Sequence, residues 1–434
     1  MGYHYQSRLG TTDTNYELIF LDIETDNITF YGQLDEPVHR WFRLTAAFSP
    51  DLVRRCLTRF TTEGETRTVL DPFCGTGTTV VESLRNGHNA LGVEYNPIYE
   101  RVARAKATSW DIDTDELREV QHTVISDAWE LSFQWNEKSI TEIEEETDVY
   151  FPEIYNRDRW WDEKTLKELV ALREAIDNAD APDRQKELLM VGLLAILVDA
   201  SNATYNHVSL SFMDEPQGYV NAIDLFDDKM VQIRSDIRVL GPARGTVDVI
   251  GGDSTKLTES VDPNSADTII TSPPYPNRYS YIRETRPHLF FLDLVEDAGE
   301  VGEMALDSVG GTWGRATSEL EDAYIEPVNS VVEDALEDVE PLLDEQDRPM
   351  RNYVVKYFNK MEKHMQGVEK VLQDGSNMAY TVGNSELKGV EVRTDEILAD
   401  MFIEHGYDDV TIARARSRNS KKALYEAIVY ASDR

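Results

Sequence analysis

Apolar positions recur along this chain with two periods. Short apolar runs bounded by turn residues predict strands at 68–70, 90–93, 246–250, 266–271, 377–382, 409–415 and 424–431. Helical spacing lies between them. Leu52, Val53, Cys56 and Leu57 make an apolar stripe behind Ser49 and Pro50, an N-cap residue and a proline at the first helical position. A second helix is predicted from Thr79 to Asn86 and closed by Gly87. Others are predicted near 163–176 and 185–200, from 351, and near 394–405. The run from Leu188 to Val198 is too short to cross a bilayer and predicts a buried helix. Strands alternating with helices predict an α/β fold with a mostly parallel sheet.

Three segments interrupt that rhythm. Leu18–Ile23 and Ile28–Tyr31 flank Thr25-Asp26-Asn27 as a β-hairpin, so residues 1–37 read as an N-terminal hairpin extension. Residues 110–245 read as a largely helical insertion that splits the α/β domain into 38–109 and 246–434, and as a candidate DNA-recognition region. It carries Trp160-Trp161, read as core anchors in preference to DNA contacts, and a polar, aromatic stretch from Asn202 to His207 suited to lining a groove. Residues 295–350 are acidic, with Gly310-Gly311-Thr312-Trp313-Gly314 embedded, and read as a mobile or inserted loop region followed by helix.

Charge changes the picture. Against 43 Lys and Arg stand 81 Asp and Glu, a net charge of −38 that repels nucleic acid at long range. A generic acidic protein is one explanation. Adaptation to molar salt, where the Debye length falls to about 3 Å, is the sharper one and points to a halophile. Two basic clusters stand out from this background: Arg278, Arg283 and Arg286 interleaved with aromatics, and Arg414, Arg416, Arg418, Lys421 and Lys422 within nine residues. They read as phosphate contacts, with a solvated, salt-bridged loop as the alternative for the second. Cys56 and Cys74 are the only cysteines, which excludes a disulfide framework and a thiolate metal site, so no metal is expected. Met1 to Asn15 lacks an apolar signal core, and no membrane span is expected; the reading places the protein in the cytoplasm.

Two stretches carry candidate chemistry. Asp71-Pro72-Phe73-Cys74-Gly75-Thr76-Gly77-Thr78 joins a strand to a helix, and the next strand ends at Glu94. Glycines let a backbone approach a ligand closely, and an acid about 20 residues past the loop binds ribose hydroxyls. No Lys-Ser/Thr pair closes the turn as in a phosphate-binding loop; a dinucleotide site remains open, though Asp-Pro-Phe is unusual there. Ser272-Pro273-Pro274-Tyr275 follows the strand 266–271. Two prolines end a ladder and stiffen the carboxyl end of a strand, where open α/β sheets bind ligands. Such a loop holds a flat base by stacking and hydrogen-bonds its exocyclic amine, or is an ordinary turn with a packed Tyr.

Together the two stretches resemble the S-adenosylmethionine-dependent amino-methyltransferases of DNA, which act on N4 of cytosine or N6 of adenine. The family pattern Asp-Pro-Phe-x-Gly-x-Gly-Thr is met at every fixed position from Asp71 to Thr78, and Ser/Asp/Asn-Pro-Pro-Tyr/Phe by Ser272 to Tyr275. The resemblance implies a Rossmann-like methyltransferase fold with a mostly parallel seven-stranded sheet whose final hairpin reverses one strand. It implies S-adenosylmethionine held by Phe48, Ser49, Asp71, Pro72, Phe73, Gly75, Gly77, Thr78, Glu94 and Asp253, the last beside the adenine. Ser272, Pro273, Pro274 and Tyr275 become the catalytic group. Ser ahead of the prolines points to N4-cytosine. The expected protein is a site-specific methyltransferase of double-stranded DNA, standing alone or beside a separately acting restriction endonuclease. N6-adenine methylation, methylation of an RNA amine, and an inactive nucleic-acid-binding relative are the alternatives.

Overall fold

The computed structural model describes residues 16–21, 35–45, 49–205, 210–277, 279–310, 320–321, 324–415 and 424–432. Alternation along its buried strands sets the layers. Val69 of β2 (Thr68–Asp71) and Ile270 of β7 (Ala266–Thr271) point to one face of the sheet. There they meet Leu52, Val53, Cys56 and Leu57 of helix α1 (Pro50–Phe60). Leu70 and Ile269, one residue away, point to the other face. They pack with Met378 and Tyr380 of β8 (Leu372–Gly383) against Val354, Phe358 and Met361 of the helix Arg348–Val371. Both faces are covered, which is why these strands are apolar runs and not alternating ones.

The remaining strands of the sheet are β1 (Glu17–Leu21), β3 (Asn89–Glu94), β6 (Val247–Gly251), β11 (Asp409–Ala415) and β12 (Glu426–Ser432). Their order is β1-β11-β12-β8-β7-β2-β3-β6. Only β12 runs antiparallel to its neighbours, as the closing hairpin implied. Among the described residues the sheet has eight strands where seven were expected, and the additional one is N-terminal. Leu18 and Ile19 pair in parallel with Ile412 and Ala413, so β1 is an edge strand of the central sheet. Residues 28–31, expected as its hairpin partner, lie outside the described residues. Short hairpins, β4 (Ala203–Tyr205) with β5 (Leu210–Phe212) and β9 (Ser385–Leu387) with β10 (Val390–Val392), stand apart.

Ser49 caps α1 by accepting from the Asp51 amide. Helix α2 (Thr78–Arg85) starts at Gly77, whose φ of 87° no side chain adopts cheaply; a Cβ there would lie 3.1 Å from the Ala103 backbone. That contact brings α3 (Pro97–Thr108) tight against the loop. Residues 110–245 form the helices Thr114–Gln134, Ile140–Glu146, Glu163–Asp177, Asp183–Ile196 and Ala222–Leu240. Their Leu169, Leu193 and Phe226 share one apolar cluster with Ile98, Tyr99 and Val102 of α3. Trp160 and Trp161 are buried in it, with the Trp161 indole donating to the Leu197 carbonyl. The acidic segment carries the helices Ala298–Asp307, Ser330–Ala335 and Glu340–Gln346. Among the described residues, no helix is long and apolar enough to cross a membrane.

Candidate active site

A cavity open to solvent lies at the carboxyl ends of β2, β3, β6 and β7. Its lining includes Pro72, Phe73, Gly75, Thr78, Glu94, Asp253, Ser272 and Pro274. Eight residues predicted from two distant stretches and a third strand end thus share one space. Asp71, Gly77, Ser49, Pro273 and Tyr275 do not line it. Asp71 sits beneath the loop, Gly77 begins α2, Ser49 caps α1, and Tyr275 packs part-buried against the core under the sheet. Phe48, Arg278, Arg416, Arg418, Lys421 and Lys422 lie outside the described residues.

Local hydrogen bonds shape the cofactor side. Asp71 Oδ1 accepts from the Phe73 amide at 3.1 Å and from Thr271 Oγ1 at 2.6 Å. Its Oδ2 is buried and has no partner among the described residues, and burial pushes the carboxyl up to about 6. Glu94 accepts from the Gly75 amide at 2.7 Å and the Asn96 amide at 2.8 Å. Burial pushes its carboxyl up to about 7, with the Asp71 charge adding to the rise. Asp253 caps the turn Ser254–Glu259, accepting from Thr255 N and Oγ1 at 2.9 and 2.8 Å. Phe73 is backed by the ring of His364 at 4.8 Å, and burial drives that imidazole down to about 4, keeping it neutral. Cys74 is buried under the loop with its thiol raised well above the usual range, so it carries no chemistry.

These residues fit S-adenosylmethionine. A carboxylate has lone pairs beyond the two that the Gly75 and Asn96 amides use, enough for ribose hydroxyls. Phe73 offers an apolar wall, and Asp71 beneath the loop fixes that wall through the Phe73 amide. No group of three or more His, Cys, Asp or Glu arranged for a metal occurs among the described residues.

On the target side, the Ser272 hydroxyl donates to the Thr381 carbonyl at 3.1 Å. Part of this wall escaped the sequence. Ser308 and Val309, from the acidic segment, line the cavity, and Lys360 donates to the carbonyls of Leu306, Asp307 and Ser308 at 2.7–3.1 Å. Gly310 follows with φ 75°, and a Cβ there would sit 2.8 Å from Pro274 Cβ. The Gly310-Gly311 pair was the available signal. Asn96 and Tyr99 also line the cavity, and the Asn96-Pro97 pair just past Glu94 reads as a helix start.

The basic residues divide. Arg283 is exposed and Arg286 half-buried against Phe290, and neither has a carboxylate within ion-pair distance among the described residues. Arg414 corrects the phosphate-contact reading: its guanidinium is largely buried, bound to Asp395 at 2.7 Å and to Glu396, and lies over the Tyr425 ring. It joins β11 to the helix Thr394–Glu404.

The strand order with β12 alone reversed, the Gly-rich turn after the central strand and the acid ending the next strand have the form of a Rossmann-like methyltransferase fold. Residues 22–105 match the model of the N6/N4 methyltransferase family, described as DNA methylase. The matched stretch, under a quarter of the chain, holds the Gly-rich turn and Glu94. The type II methyltransferase M.MvaI of Kocuria varians is 23% identical over 447 residues, 94% of this chain and 90% of that protein. M.BsoBI of Geobacillus stearothermophilus, also a type II methyltransferase, is 23% identical over 317 residues, 65% of this chain and 59% of that protein. The rRNA methyltransferase AviRa of Streptomyces viridochromogenes aligns over 92% of this chain and 86% of that one, with 9% identity and a TM-score of 0.27; the strand order, not that likeness, defines the fold.

Proposed function

We propose that this protein is a site-specific DNA methyltransferase acting on the N4 amine of a cytosine turned out of the duplex. The observation that carries the reading is the Ser272 hydroxyl. It lines the cavity and donates its hydrogen to the Thr381 carbonyl, which leaves the oxygen with capacity to accept. An exocyclic amine is a poor nucleophile because its lone pair is delocalised into the ring. Ser272 Oγ, with the Pro273 carbonyl, accepts its N–H bonds and favours a pyramidal nitrogen whose lone pair is aimed along the transfer direction. The bound cofactor supplies a methyl group already activated by positive sulfur. Pro274 and Ser308, which line the cavity, fix the base's position, and Tyr275, packed against the core, holds the loop from behind.

The exposed Arg283 and the half-buried Arg286 follow the catalytic loop, and that neither has an acidic partner among the described residues of so acidic a chain supports a role on DNA phosphates. The type II relatives support a separately acting restriction endonuclease as companion. Parallel incubations of labelled cofactor with unmethylated plasmid DNA and with RNA, each followed by nucleoside analysis, test the reading. N4-methylcytosine is expected. N6-methyladenine would move the target to adenine; label entering only RNA would overturn DNA as substrate.

A further inference from the structure

We propose that Glu284 is a positioning residue that couples occupancy of the cofactor site to the target side of the cavity. The inference rests on the function proposed above. Glu284 ends the short helix Tyr281–Glu284, and Tyr281 and Ile282 of that helix line the same cavity as Ser272. The carboxyl is buried, with no cation within ion-pair distance among the described residues. Hydrogen-bond donors hold it instead. Oε1 accepts from Thr45 Oγ1 at 2.6 Å and from the Thr45 amide at 3.3 Å. Oε2 accepts from Tyr99 OH at 3.4 Å and from Tyr279 OH.

Those donors belong to both sides. Tyr279 lies between the Ser-Pro-Pro-Tyr loop and the helix. Thr45 follows Leu44, whose side chain closes over Gly75 at 3.2 Å from the position of an added Cβ. Tyr99 stands in α3 and lines the cavity. A second path runs in parallel. Glu94 holds the Gly75 amide with one oxygen and the Asn96 amide with the other, and the Asn96 side chain donates to Thr285 Oγ1 at 2.9 Å. The acid assigned to the ribose is thus separated from the target-side helix by one asparagine. A ligand that orders Glu94 and Leu44 narrows the positions open to Tyr281 and Ile282, and a base seated against those residues tightens the cofactor side by the same factor, because coupling is reciprocal.

The coupling is read by measuring the affinity of S-adenosylhomocysteine with and without unmethylated plasmid DNA, in wild type, Glu284→Gln and Thr285→Val. In wild type, DNA is expected to tighten binding by about 5-fold or more, within the usual range of such couplings. In either variant the ratio is expected to fall toward one, with free-enzyme affinity within about two-fold of wild type and turnover reduced. A merely structural role predicts a lower melting temperature with the ratio kept. Thr285→Val removes both the Asn96 bond and the Thr285 Oγ1 bond to the Ile282 carbonyl, so it loosens the same Glu284 helix and serves if Glu284→Gln fails to fold. A folded variant with the wild-type ratio overturns the inference alone. A wild type that binds S-adenosylhomocysteine yet neither binds nor methylates DNA overturns the proposed function and this inference with it.

Discussion

The two sides of the cavity are built differently. The cofactor side is built mainly within one turn: Asp71 holds Phe73, the Cys74 amide donates to the Val93 carbonyl, and Glu94 holds Gly75 and Asn96, all between residues 71 and 96, with Thr271, His364 and Asp253 added from outside. The target side is assembled from afar. Ser272 is fixed by Thr381, 109 residues on; Pro274 is covered by Gly310; and Glu284 reaches back 239 residues to Thr45. A local site is braced by its own turn, whereas a distributed one inherits every displacement of the elements that supply it. Substitutions on the first side should therefore weaken cofactor binding, and those on the second should spare it and fall on turnover.

The largest expected effect is at Ser272. Ser272→Ala should lower kcat by about 10²–10³-fold, the loss typical of one acceptor or donor aimed at a reacting group, with S-adenosylhomocysteine affinity unchanged by calorimetry. Equal losses in both would erase the distinction between the sides. Next comes Glu94→Ala, expected to weaken cofactor affinity about 10–100-fold through lost charge-assisted hydrogen bonds. Wild-type affinity should also depend on pH. With the carboxyl pushed up to about 7, the ionised form that accepts ribose hydroxyls is lost as pH falls through that value, so binding should weaken from about pH 8 to about pH 6. Stability runs the other way: the folded state keeps a proton that the unfolded chain sheds between the ordinary carboxylate range and 7. This residue's contribution is therefore fully present below that range and lost as pH rises toward 7. A flat affinity profile would remove the ribose assignment.

Gly310→Ala sharpens the comparison, because it lies 38 residues beyond Ser272 and touches only the target side. Its backbone is left-handed and the new methyl would press on Pro274, so turnover should fall about tenfold with cofactor binding kept. Replacing Arg283 or Arg286 by Ala should cost little at low salt but lower the slope of log K for DNA against log salt by about 0.9 for each phosphate left unneutralised. The smallest effect concerns the surface. If the −38 charge is an adaptation to molar salt, the melting temperature should climb with potassium chloride, and a flat series would reject that origin.

The same contrast explains what the sequence disclosed. The strand, turn, helix and acid from Thr68 to Glu94 are fixed by residues within one turn of each other, and each element stands within a residue or two of its predicted place. Strands β7 and β11 fall on their predicted bounds because both are apolar runs in a doubly covered sheet. The partner of β1 was not legible. Its hairpin signal at Thr25-Asp26-Asn27 is local, while its pairing with β11 spans nearly the whole chain. Arg414 looked like part of a basic run because its acid partners, Asp395 and Glu396, sit on the preceding helix and meet it only after folding. Lys360 and Glu284 gave no signal, since a charged residue in a helix is far more often solvated than buried.

The seam between β2 and β7 has a consequence for biosynthesis. Asp71 and Thr271, bonded across it, are 200 residues apart. On a ribosome adding about 5–20 residues per second, β2 waits roughly 10–40 s for the neighbour that completes its pairing, with only β3 available meanwhile. The helical insertion emerges during that interval and can pack against α3 first. Chains stalled just short of β7 should therefore present the Gly-rich turn on an unfinished edge, open to proteases that leave the finished protein uncut.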